Sequence, residues 1–91
     1  MTKGEYRVGI DFNPSGNKTV DWIKRQSADL IDMIEDIPDH GDGEIKRLKA
    51  EAQTGVEGAA HWAVKAATKK PQERPAVSSD YQNLVEEPKE E

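Results

Sequence analysis

The chain has 91 residues, no Cys, 34% hydrophobic and 34% charged residues, and a formal net charge of −5. Leu, Ile, Val and Phe number 16, about 18% of the chain, at the edge where an autonomous core becomes hard to build. One small domain is the most this length allows; enzymes with their own cofactor domain, disulfide scaffolds, thiol catalysis and Cys-ligated metals are excluded. No apolar run approaches the ~20 residues of a membrane span, and no signal-peptide core is present, so the expectation is a small soluble intracellular protein. The acidity is concentrated in residues 71–91, which hold six acidic and two basic side chains. The remaining Lys and Arg include only isolated pairs such as Lys24-Arg25, not the cationic block that duplex DNA requires.

Residues 1–16 read as an irregular arm. Tyr6-Arg7-Val8-Gly9-Ile10 is compatible with an extended strand, and Phe12-Asn13-Pro14-Ser15-Gly16-Asn17 is a cluster of turn formers. Asn17 suits a helix N-cap, with Asp21 near the positive end of the dipole. A helix over residues 17–37 follows from Val20, Ile23, Ser27, Leu30, Ile34 and Ile37, spaced three or four apart, with Ile31 widening the stripe. Pro38 stops it. Asp39–Gly43 forms a reversal loop, and Asp42 caps a second helix over residues 43–69, with Ile45, Leu48, Ala52, Val56, Ala59 and Ala63 near one face.

The second helix is rich in Gly and Ala from Gly55 onward. Glycine in a helix interior costs about 1 kcal/mol relative to Ala, and close approach by another helix is a reason to keep it. Two helices joined by a short loop form an antiparallel hairpin. A lone hairpin with so few apolar residues is poorly stable, which implies self-association. Residues 71–91 read as an acidic, disordered tail, with Tyr81, Leu84 and Val85 at the spacing of a short helix.

Catalytic signals are thin. His40 lies in an Asp-rich loop without the ligand spacing of a calcium site. His61, beside Trp62, reads as a packing residue. No metal, no cofactor and no enzymatic activity are expected. The arm is a better binding element. Phe12 sits in a polar turn, with Tyr6 and Arg7 upstream, Asn13 beside it and Lys24-Arg25 in the first turns of the helix. An aromatic plane with cations and amides matches a nucleobase plus phosphate. The bland alternative is that Phe12 is a hydrophobic staple over the helix start.

Phe12-Asn13-Pro14-Ser15-Gly16 before Ile23-Lys24, then Ala28-Asp29-Leu30-Ile31-Asp32, and His61-Trp62-Ala63-Val64-Lys65-Ala66-Ala67-Thr68 together resemble a phage family. It is the helical-hairpin domain shared by the anti-CBASS two and Thoeris anti-defence one proteins, and the likeness covers about residues 4–70. The resemblance implies a sponge that sequesters cyclic oligonucleotide immune signals without cleaving them, as a homo-oligomer, typically a hexamer, in the host bacterial cytoplasm. It further implies an arm aromatic that stacks on bases and a first-helix Lys on phosphate. The Lys corresponds to Lys24. The anti-CBASS branch carries Gly-Tyr-Arg-Asn where this chain has Asp11-Phe12-Asn13, so Phe12 takes the aromatic role, with Tyr6 the alternative. The family also takes cyclic ADP-ribose-type signals, but that site of the Thoeris branch relies on a further C-terminal β region that this sequence lacks, so cyclic di- or trinucleotides are the ligands implied first, with cyclic ADP-ribose signals left open. The fold expectation is all-α: a long antiparallel two-helix hairpin with an irregular N-terminal arm, homo-oligomeric. The competing expectation is a hairpin that only oligomerises or holds a protein partner.

Overall fold

The computed structural model describes residues 1–72. The tail from residue 73 onward, including the Tyr81, Leu84 and Val85 spacing, lies outside the described residues. Those described are all-helical: α1 (Lys3–Val8), α2 (Lys18–Glu35) and α3 (Gly43–Thr68). The two long helices are close to their expected limits. Asn17 caps α2 by accepting from the Thr19 N–H, and Asp42 caps α3 by accepting from the Glu44 and Ile45 N–H groups. α2 ends slightly early, at Asp36, whose N–H reaches back to the last carbonyls of the helix.

The arm is not irregular. Its first residues form α1, whose ends are both closed by local chemistry. Thr2 and Glu5 make a reciprocal capping box, and Gly9, at φ 65°, takes the left-handed conformation that terminates a helix. Six residues are too few for an isolated helix to persist, so α1 depends on what it touches. Gly4 is buried against α2, and an added Cβ there would sit 2.1 Å from the Ala28 carbonyl oxygen. Its N–H donates to Asp32 Oδ1 at 2.7 Å. Arg25 of α2 bridges Glu5 at 3.0 Å and Asp29 at 2.9 Å.

The third contact ties all three helices together. Lys3 Nζ donates to Glu35 Oε1 at 2.8 Å and to Gln53 Oε1 at 3.0 Å. Gln53 Nε2 in turn donates to Glu35 Oε1 and to the Ile31 carbonyl. At the other end of the molecule Asn17 Nδ2 reaches the Ala67 carbonyl, while Lys49 Nζ caps the carbonyls of Glu35 and Ile37. The start of α2 is therefore tied to the end of α3, and the end of α2 to the early turns of α3.

The docked α1 also moves the core. Of the expected α2 stripe Val20 and Ile31 are buried; between them Lys24 and Ala28 are buried, whereas Ile23 and Ser27 are half-buried and Leu30 is exposed. On α3 they are Gln53 and Ala60, one position beyond Ala52 and Ala59. Each helix is rotated toward α1, because α2 must cover two neighbours instead of one. Leu30, Ile37 and Leu48 stay exposed, as do Trp22, Met33 and Trp62. An added Cβ at Gly55 or Gly58 meets open space, so the close approach expected there is not made within the described residues.

The Lys3 ammonium, followed by the Gln53 amide, pulls the Glu35 carboxyl from its ordinary 4.5 down to about 2. A carboxyl depressed in the folded state stabilises fully above pH 4.5 and loses that contribution as pH falls toward 2. Acidification across that window should lower the melting temperature, and Lys3→Met should flatten the Glu35 share of the profile. Parallel acid titrations of melting temperature check this; superimposable profiles would show that the pair does not stabilise the fold.

Candidate ligand cavity

The turn after α1 is built from the backbone up. The Phe12 N–H donates to the Gly9 carbonyl at 2.9 Å and the Gly16 N–H to the Asn13 carbonyl at 3.1 Å, giving two successive reversals. Asn13 stiffens the second. Its Nδ2 donates to the Asn17 carbonyl and to Asp21 Oδ1, both at 2.9 Å, and its Oδ1 accepts from Ser15 at 2.7 Å. Lys24 stiffens the first. It is only 7% exposed, and its Nζ donates to the Gly9 carbonyl at 3.0 Å and also to the Phe12 carbonyl. A buried ammonium needs such partners, since desolvation without them is costly. Three N–H groups are available to it; two grip the arm, and the third has no partner among the described residues. The same Nζ lies 5.4 Å from the Phe12 ring centroid, within cation–π range.

These groups border a cavity of about 470 Å³, within the size range of small-molecule sites. The arm contributes Tyr6, Arg7, Val8, Gly9 and Phe12, α2 contributes Lys24, and α3 contributes Glu57, Ala60, His61 and Val64. Tyr6 and Phe12 are 77% and 71% exposed, which leaves both aromatic faces open to a ligand. An exposure of that size is incompatible with Phe12 acting as a staple over the start of α2. A second cavity of about 210 Å³ lies across Phe12, Lys24 and Val64, lined also by Asn13, Ser15 and Thr68. Phe12 and Lys24 therefore border both spaces.

Four expected site residues, Tyr6, Arg7, Phe12 and Lys24, meet at the larger cavity, but not all as free groups. Arg7 is held by Glu57, with Nε and Nη2 at 2.8 and 2.6 Å from Oε1, and Nη2 lies 3.4 Å from Thr54 Oγ1. Asn13 borders only the smaller cavity. Arg25 borders neither. Its guanidinium is engaged by Glu5 and Asp29, which raise its pKa, and it serves to fasten α1.

The α3 wall was not among the expected residues. His61 is exposed, edge-on to Trp62 with ring centroids 5.5 Å apart, and lines the cavity instead of packing in a core. Glu57, His61 and Val64 stand four and three apart, a helical face whose spacing is visible in the sequence once its partner is known. The acidic loop that raised a metal question uses its carboxylates locally: Asp39 accepts from the Gly41 N–H at 2.8 Å, and Asp42 caps α3.

Comparison with known proteins gives a single positive result. A family profile described as Acb2/Tad1, hairpin domain, matches residues 5–68. No curated protein and no solved structure matches the chain. The matched segment begins within α1 and ends with α3, so it takes in every residue that borders the two cavities. By that match the chain belongs to the Acb2/Tad1 hairpin-domain family, a membership that fits a role in phage anti-defence.

Proposed function

We propose that this protein captures cyclic di- or trinucleotide immune signals in the host bacterial cytoplasm and holds them without cleaving them. The observation that carries the reading is the convergence of two exposed aromatic rings, Tyr6 and Phe12, with the Lys24 ammonium at one cavity. Bases stack on the rings and a phosphate takes the spare Lys24 N–H; family membership supplies the biological setting. Copies of the chain complete the site in a homo-oligomer, a hexamer by resemblance, in which opposed helices of each hairpin present Trp22, Met33, Leu48 and Trp62 to neighbours. Among the described residues no helix is long and apolar enough to cross a membrane. A sponge acts by mass action, so it must outnumber its signal and bind below the signalling concentration.

The test is depletion followed by recovery. The protein is incubated with a panel of cyclic di- and trinucleotides, separated, and heated. Intact nucleotide released on denaturation supports capture, cleaved product would make the protein an enzyme, and no depletion would leave a hairpin that only assembles. That last reading draws on the same exposed apolar side chains. Phe12→Ala should weaken capture by about ten- to a hundredfold in calorimetry, given stacking of about 1–3 kcal/mol per base. Because the Phe12 ring is exposed, helicity should not change. Unaltered affinity would move the stacking role to Tyr6. Light scattering of the same samples should return several times the 10.1 kDa chain mass.

A further inference from the structure

A carboxylate in a phosphate-binding cavity is at first sight a liability, because it repels the ligand's charge. Glu57 is the one carboxylate among the described residues that border the larger cavity. Its Oε1 receives both Arg7 contacts, at 2.8 and 2.6 Å, while its Oε2 accepts no hydrogen bond among the described residues. The carboxylate is thus oriented by a guanidinium and left with an open acceptor edge, in the same cavity as the exposed Phe12 and Tyr6 rings.

We infer that Glu57 is a specificity-determining residue that selects guanine, its Oε2 accepting hydrogen bonds from both the N1–H and the N2 amine of a base stacked on the arm aromatics. Guanine alone among the four common bases presents two adjacent N–H donors on its pairing edge. Adenine presents one amine beside a bare ring nitrogen, cytosine does the same, and uracil presents one N–H between two carbonyls. Each of those three places at least one lone pair against the carboxylate, whereas guanine places none on the two positions it uses. Arg7 is then a positioning residue, holding the carboxylate and offsetting its charge. This inference rests on the nucleotide-capture reading and adds a base preference to it.

Calorimetry on the full chain with the symmetrical cyclic dinucleotides of guanine, inosine and adenine tests it. Inosine keeps N1–H and lacks the N2 amine. The expected order is guanine tightest, inosine intermediate and adenine weakest, with guanine and adenine separated by roughly ten- to a hundredfold, as for other bidentate base contacts. Glu57→Gln removes the carboxylate charge and supplies an amide that can pair with adenine, so it should lower guanine affinity relative to adenine by a similar factor, collapsing the order. Equal weakening of all three ligands would reduce Glu57 to a structural partner of Arg7 and overturn the inference. An adenine preference in the unaltered protein would overturn it while leaving capture intact. If none of the three binds, and the wider panel is not depleted either, capture itself fails and the base preference with it.

Discussion

Gly4→Ala should detach α1 and lower the melting temperature more than any other single methyl added to the chain. The added Cβ would lie 2.1 Å from the carbonyl oxygen, 2.8 Å from the carbonyl carbon and 2.9 Å from the Cα of Ala28. All three are backbone atoms of a long helix, so no rotamer change relieves the clash and α1 must move as a body. Overpacking of a tight contact costs about 1–3 kcal/mol, and each kcal/mol shifts the melting temperature of a domain this small by roughly 4–8 °C. Moving α1 also breaks the Gly4 hydrogen bond to Asp32 and carries Tyr6 and Arg7 away from the cavity. Melting curves and ligand capture should therefore fail together. A Gly4→Ala variant that melts and binds like the unaltered protein would show that α1 does not dock as described.

Gln53→Leu should be nearly as damaging, although it exchanges a polar side chain for an apolar one of similar volume. Gln53 is 2% exposed, and both ends of its amide are hydrogen-bonded. The oxygen accepts from Lys3 Nζ at 3.0 Å; the nitrogen donates to the Ile31 carbonyl at 3.1 Å and to Glu35 Oε1 at 3.0 Å. Two of these bonds involve charged partners, and removing one side of such a contact costs about 1–3 kcal/mol. Lys3→Met should then add less in the Gln53→Leu background than alone, since both act on one network. Denaturant titration of the two single variants and the double variant measures that coupling. Additive effects would mean that Lys3 and Gln53 stabilise the fold separately. A Gln53→Leu protein as stable as the original would mean that apolar packing substitutes for the network, as happens at some buried polar clusters.

The two long helices were legible because their signals are local. Asn17, Asp42 and Pro38 act within a few residues of themselves, and periodicity does the rest. α1 was missed although its signals are equally local: Thr2 and Glu5 in a capping box, and Gly9 as terminator. Gly4 carried no sequence signal, because its role is steric, set by a helix turn 24 residues further along. The one-position shift on α3 and in the middle of α2 follows from that omission, since a face that serves two neighbours is not centred where one neighbour would centre it. The same division runs through the site. Tyr6, Arg7, Phe12 and Lys24 were legible from the clustering of aromatics and cations around the arm. Glu57 and His61 were not, because the Arg7–Glu57 contact spans 50 residues and nothing near α3 announces it.

Lys24 donates its hydrogen bonds to carbonyl oxygens of the arm, those of Gly9 and Phe12, and adds the cation–π approach to the Phe12 ring. Every amino acid supplies a carbonyl. The hydrogen-bonded part of the anchor is therefore blind to what residue occupies position 12, so long as the turn keeps its shape and Gly9 its left-handed conformation, and any aromatic ring there can keep the cation–π approach. Phe, Tyr, Trp or His can be exchanged at that position while the cation keeps its seat and the reversal its path. A turn wired in this way separates the exposed ring from the part that holds it, so the face shown to the cavity can change without the scaffold having to be rebuilt.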